Sequence, residues 1–211
     1  YGGTRAIHGG NAELPAEVRR RVNTSVAILP GSTRTGSLNT RLAGVIADEL
    51  EARGVAADHV DLAEYPMDLY DPDEEARRGQ PPAARKLFDR LDGHDGLIIV
   101  SPEYNGGPPP VLKNALDWVS RIDRGVLKPM LHGIAAASPG SRGGQTVIKV
   151  WKLLYEHMGL DAHPGKISLG RADDAFGDEG LVRPEDAEML AAYLDGYVAT
   201  LASRVAAAEA A

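Results

Sequence analysis

The 211-residue sequence contains no cysteine. Disulfides, thiolate nucleophiles and Cys-ligated metal are therefore excluded. It has no apolar run approaching the ~20 residues of a membrane span, which predicts no membrane insertion. The opening residues "YGGTRAIHGGNAELP" lack the long apolar core of a secretory signal, so the default expectation is a cytoplasmic, soluble protein. It also lacks a basic excess: 23 Lys+Arg face 30 Asp+Glu, a net charge of −7. General nucleic-acid binding needs a basic surface to displace counterions, so no nucleic-acid partner is expected. The six histidines show no H-x-x-x-H spacing, and no metal site is expected. Neither G-x-x-x-x-G-K-[ST] nor G-x-G-x-x-G occurs at the first strand–helix junction. Gly31 and Gly36 have the separation of the former, but Ser37 stands where its lysine belongs, and Thr33 breaks the latter.

What is present is an alternation. Short aliphatic runs appear at "SVAIL" (25–29), "HVDL" (59–62), "GLIIVS" (96–101), "LHGIAAAS" (131–138) and "HPGKISL" (163–169). Helical spacing separates them: Leu38, Leu42, Val45, Ile46 and Leu50 share one face, as do Val147, Ile148, Trp151, Leu154 and Tyr155. Similar faces run from Val111 to Ile122 and from Met189 to Val205, with a weaker one at Leu87–Leu91. About five β-α repeats predict an α/β, flavodoxin-like three-layer sandwich: a five-stranded parallel sheet, order 2-1-3-4-5, with helices on both faces. "LIIV" lacks polar alternation, as a central strand should. Residues 70–82 ("YDPDEEARRGQPP") and 170–183 read as irregular loops. Residues 1–23 read as an N-terminal extension, mobile or packed on a neighbour, before a single domain over 24–211.

In this fold, ligands bind at the carboxyl ends of the strands. The loop "PGSTRTGS" leaves the first strand there and enters a helix with Ser37 as N-cap. A helix N-terminus offers unpaired N–H groups and partial positive charge. Ser32, Thr33, Thr35 and Ser37 add hydroxyls, Arg34 a planar fork, and Asn39 an amide. A terminal monophosphate fits this set; a plain capped helix after a polar turn is the alternative for the loop taken alone. After the third strand, "SPEYNGGPPP" is stiffened by three prolines. It suits a flat ring with heteroatoms along one edge: Tyr104 supplies an aromatic contact, Asn105 and Gly106 backbone donors. "SPGSRGG" (138–144) follows the fourth strand, so three loops surround one pocket.

These loops resemble those of the NADPH-dependent FMN reductase family, the flavodoxin-like group that includes chromate, quinone and azo-dye reductases. The family's G-S-x-R-x-x-S-x-N is matched by Gly31, Ser32, Arg34, Ser37 and Asn39. Its P-E-Y-N, proline, L-K-N-A-[IL]-D-W is matched by Pro102–Asn105, Pro109 and Leu112–Trp118, and its S-x-G-x-x-G-G by Ser138, Gly140, Gly143 and Gly144. The resemblance runs from about Val26 to Val205. It implies an FMN site in which Ser32, Arg34, Ser37, Leu38 and Asn39 hold the phosphate. Pro102, Glu103, Tyr104, Asn105 and Gly106 would lie along the ring, and Ser138, Gly140, Gly143 and Gly144 would close the site. It further implies NADPH or NADH as transient reductant and a small-molecule electron acceptor: quinone, flavin, azo dye or metal oxyanion. No catalytic side chain is required, and a homodimer or homotetramer is expected. A non-catalytic flavodoxin-type electron carrier is the alternative. Two positions depart from the pattern: Gly106, where the family often has a larger residue, and Pro110, where a small one is common. Arg142 is the candidate for the extra phosphate of NADPH. Glu103 reads either as a base or as a carboxylate accepting backbone hydrogen bonds, and Lys113 as pairing with a neighbour.

Overall fold

The structure, a computed structural model, describes residues 24–177 and 180–210. The expected N-terminal extension, 1–23, lies outside the described residues. Five strands form one parallel sheet: β1 (Ser25–Pro30), β2 (Ala56–His59), β3 (Gly96–Val100), β4 (Leu131–Ala137) and β5 (Ile167–Leu169). The order is β2-β1-β3-β4-β5, as the alternation predicts. All five residues of β3 are buried, because helices cover both faces.

The two-residue strand period sorts the core into halves. Leu29, Leu97, Ile99 and Ile134 face α3 (Pro82–Leu91), α4 (Pro110–Ile122) and α5 (Gln145–Met158). Ile28, Ile98, Val100 and Ala135 face α1 (Leu38–Ala52) and α6 (Pro184–Glu209). Leu42, Ile46 and Leu50 of α1 are fully buried, so the spacing read from the sequence marks the packed stripe. Each fully buried side chain of this size contributes roughly 1.5–3 kcal/mol over its exposed state.

The structure corrects the sequence reading in four places. β2 starts and ends three residues earlier than "HVDL". Its pairing closes with Val60 N–H on the Ile28 carbonyl at 2.9 Å. Asp61 then caps a 3-10 turn, Leu62–Glu64, accepting from Ala63 N–H at 2.9 Å. β5 is shorter than 163–169, because Pro164 and Gly165 precede it and only Ala162 makes an isolated bridge, to His132. The expected loop at 70–82 contains a helix, α2 (Pro72–Arg78). The expected loop at 170–183 holds a 3-10 turn, Ala172–Asp174, and a two-stranded hairpin, β6 (Phe176–Gly177) and β7 (Gly180–Leu181). Among the described residues no helix is long and apolar enough to cross a membrane, and no cluster of His, Cys, Asp and Glu is arranged to hold a metal ion.

Candidate functional site

The sheet order sets β1, β3 and β4 side by side, so the turns leaving their carboxyl ends share one rim. The first begins at Gly31, whose N–H extends the ladder to the Val100 carbonyl at 2.9 Å. A Cβ at Gly31 would lie 2.7 Å from Leu112 Cδ2 and 3.0 Å from Pro109 Cγ. Only glycine lets this turn lean on the second loop. Ser32 is buried, and its Oγ accepts from Arg34 N–H at 3.3 Å. Gly36 has φ +70, which favours glycine. Ser37 is the N-cap of α1; its Oγ accepts from Thr40 N–H at 3.3 Å. Thr33, Arg34 and Thr35 are exposed, and the Arg34 guanidinium has no partner among the described residues.

Asn39 takes a different place from the one its motif suggests. Its side chain is buried and pairs twice with one residue of β4: Nδ2 donates to the Ala137 carbonyl at 3.0 Å, and Oδ1 accepts from Ala137 N–H at 2.9 Å. The amide read as a ligand donor is thus engaged in fixing α1 to the end of β4. Leu38 packs half-buried against the core on the α1 side.

The second turn is a two-residue reversal. Tyr104 and Gly107 exchange backbone hydrogen bonds of 3.0 Å each way. Between them Asn105 has φ +51 and Gly106 φ +81. Positive φ at both central residues, filled by Asn-Gly, is the signature of a type I′ turn. The Gly106 departure therefore has a backbone reason, since a side chain there would be strained. Tyr104 is 51% exposed. Pro109 caps α4 and Pro110 occupies its first turn; that stiffens the loop and removes two N–H donors. Glu103 is no free base: its Oε2 accepts from Thr146 N–H and Val147 N–H, both at 3.0 Å.

The third turn is held from behind. Ser138 N–H donates to the Leu169 carbonyl at 3.0 Å, and its Oγ to the Gly140 carbonyl at 3.1 Å. Gly143 and Gly144 have φ +56 and +72. A Cβ at Gly144 would sit 2.6 Å from Ala136 Cβ, and one at Gly143 2.7 Å from Ser168. These glycines shape the turn by close backbone approach. Arg142, just before them, is exposed.

Three helix N-termini meet at this rim, and their chemistry differs. Prolines 109 and 110 reduce the donors at the start of α4 to the Val111 and Leu112 N–H groups, with no cationic side chain of the turn beside them. Glu103 occupies the start of α5. At α1, Leu38 N–H and Asn39 N–H have no acceptor among the described residues, and Arg34 stands beside them. A phosphate fits that donor set; a free N-terminus with an adjacent guanidinium is an anion site. The turn at Asn105–Gly106 presents two further N–H groups without partners among the described residues, which fits the polar edge of a flat heterocycle.

Other motif residues serve packing. Lys113 pairs with Asp117 at 2.6 Å. Asn114 and Trp118 both donate to the Asp68 carbonyl, at 3.0 and 2.9 Å, pinning the segment before α2. Beside the first turn, a groove of about 410 Å³ is lined by Thr33, Tyr65, Met67, Leu69, Pro110 and Val111. The sequence reading missed it. Its walls come from three separate segments, and only Leu69 and Val111, apolar yet exposed, hint at it.

The NADPH-dependent FMN reductase family model matches residues 24–173. A quinone reductase of Escherichia coli is 38% identical over 125 residues, covering 56% of this chain and 62% of that protein. The chain thus spans less than two thirds of that relative's length. An NAD(P)H-dependent FMN reductase of Pseudomonas aeruginosa is 32% identical over 165 residues, 77% of this chain and 86% of that protein. Among solved structures, FerB of Paracoccus denitrificans, a flavoenzyme NAD(P)H:(acceptor) oxidoreductase, superposes with a TM-score of 0.73 at 25% identity, over 86% of this chain and 98% of that one. With the sheet order, the three turns and a match across most of its length, this chain belongs to the NADPH-dependent FMN reductase family of oxidoreductases.

Proposed function

We propose that the protein is an FMN-dependent NAD(P)H oxidoreductase. FMN, when bound, would supply the redox chemistry, two-electron transfer from a nicotinamide to a second, oxidised substrate. The chain's own part is to hold, orient and tune. Arg34, the Leu38 and Asn39 N–H groups and the hydroxyls of Ser32 and Ser37 fix the phosphate. Pro102 to Gly106 form a rigid wall along the ring, with the Asn105 and Gly106 N–H groups toward its polar edge. Ser138 and the turn through Gly144 close the far side. A quinone is the favoured acceptor class: the groove beside Thr33 and Pro110 offers a flat apolar molecule a surface next to the site.

The observation that carries this reading is the meeting, at the start of α1, of two backbone N–H groups and a guanidinium that have no partner among the described residues. The test is the visible spectrum. Purified protein mixed with FMN should show a bound-flavin absorption band that NADPH bleaches under nitrogen and a benzoquinone restores. A bound band that NADPH leaves untouched would favour the electron-carrier alternative. No band at saturating FMN would exclude both.

A further inference from the structure

α5 begins without help from its own sequence. Its N-cap, Gly144, has no side chain, and its first turn carries no acidic residue. The cap comes from 43 residues upstream: Glu103 Oε2 accepts the N–H groups of both Thr146 and Val147 at 3.0 Å. Such a carboxylate at a helix N-terminus is a charge-assisted pairing with the helix dipole. Position matters more here than capping. Glu103 immediately precedes the Tyr104–Gly107 turn, and α5 immediately follows the glycines of the third turn. The same contact therefore ties two of the three rim turns together. The fit is close: a Cβ on Gly106 would lie 3.6 Å from Thr146 Cγ2.

Resting on the FMN reading above, we propose that Glu103 is a positioning residue whose carboxylate fixes the spacing between the second and third turns and, as a carboxylate next to the Tyr104–Gly107 turn, lowers the reduction potential of the bound flavin. Reduction adds negative charge to the ring. A fixed anion nearby disfavours the reduced form relative to the oxidised one. The Thr146 and Val147 N–H groups hold this anion in place.

Two substitutions separate charge from geometry. Glu103→Gln keeps an oxygen that can accept from the α5 N–H groups and removes the charge. Its oxidised-FMN Kd should stay within about threefold of the parent, while the ratio of oxidised to reduced Kd rises about tenfold, the direction of a more positive midpoint potential. Glu103→Ala removes the tether as well, and its oxidised-FMN Kd should rise roughly 10–100-fold, the loss of one or two charge-assisted hydrogen bonds. Flavin fluorescence quenching gives the first quantity, and an anaerobic redox titration against a reference dye gives the second. A Glu103→Gln potential equal to the parent's overturns the electrostatic half, and leaves only a structural cap. An unchanged FMN Kd in Glu103→Ala overturns the tether. If the alanine variant fails to fold, the glutamine variant still decides the first half. If the unaltered protein binds no FMN, the functional reading fails instead, and the two failures are told apart by that control.

Discussion

At the residue scale, the motif residues divide into those that face outward and those that hold the outward ones in place. Arg34 belongs to the first group; its guanidinium is exposed and unpaired among the described residues. Arg34→Ala should weaken FMN binding about 10–100-fold, the range for a lost charge-assisted pair, with thermal stability of the flavin-free protein unchanged. Asn39 belongs to the second group. Replacing it with alanine strands the buried Ala137 N–H and carbonyl, and an unpaired buried polar group costs about 1–3 kcal/mol. Asn39→Ala should therefore lower the stability of the flavin-free protein by about 2–4 kcal/mol in urea melts. Equal stability in that variant would mean that Asn39 acts on the ligand rather than on β4. Both residues sit in one nine-residue motif. Their roles are indistinguishable in sequence, because the partner of Asn39 lies 98 positions away.

At the element scale, what could be read depended on whether the signal was local or remote. β3 was plain, because an unbroken "LIIV" has few alternatives to a doubly covered strand. The N-cap of α1 was legible for the same reason: Ser37 acts on Thr40, three residues on. α2 carries every local signal of a helix, yet the sequence alone reads as a loop there. Asp71 caps it, Pro72 opens it, acids fill its first turn, arginines its last, and Gly79 ends it. It buries no residue, so the apolar spacing that marks other helices is missing, and charge alone holds it. Asp71→Ala should cost that helix about 1 kcal/mol. Because α2 contributes nothing to the core, amide exchange over 72–78 should speed up while the melting temperature stays where it was. A fall in melting temperature would show that α2 supports the fold. The cap of α5 is legible only by half: Glu103 reads as a carboxylate able to accept backbone hydrogen bonds, and it does, but nothing local names its targets, 43 and 44 residues later.

At the scale of the whole molecule, the sheet is a frame whose titration behaviour is set by burial. His132 on β4 is 1% exposed, with Nε2 2.7 Å from the Leu127 carbonyl. Burial pushes its pKa down to about 4 from 6.5. The unfolded chain thus takes up this proton first. The neutral histidine's contribution is complete above about pH 6.5 and is lost as pH falls toward 4, by up to about 3 kcal/mol. Asp58 acts lower: hydrogen bonds from Arg90, opposed by burial, hold its carboxyl below the usual 3.8, so its contribution survives until pH falls beneath that value. Urea melts between pH 7 and 4.5 should show a steady loss of stability, flattened in His132→Gln, which is neutral throughout. A slope unchanged by that substitution would place the sensitive group elsewhere.

The frame matters because it delivers three turns to one rim, where the free N–H groups of the α1 N-terminus stand beside Arg34 and the α5 N-terminus is filled by Glu103. The most direct test is a paired titration of FMN and riboflavin, identical but for the phosphate, followed by fluorescence quenching. FMN should bind one per chain and at least about 100-fold more tightly than riboflavin, as expected of a doubly charged group held by an arginine and free helix N–H groups. That gap should shrink about tenfold or more in Arg34→Ala. Equal affinity for the two flavins, or a gap untouched by the substitution, would contradict a phosphate held at α1.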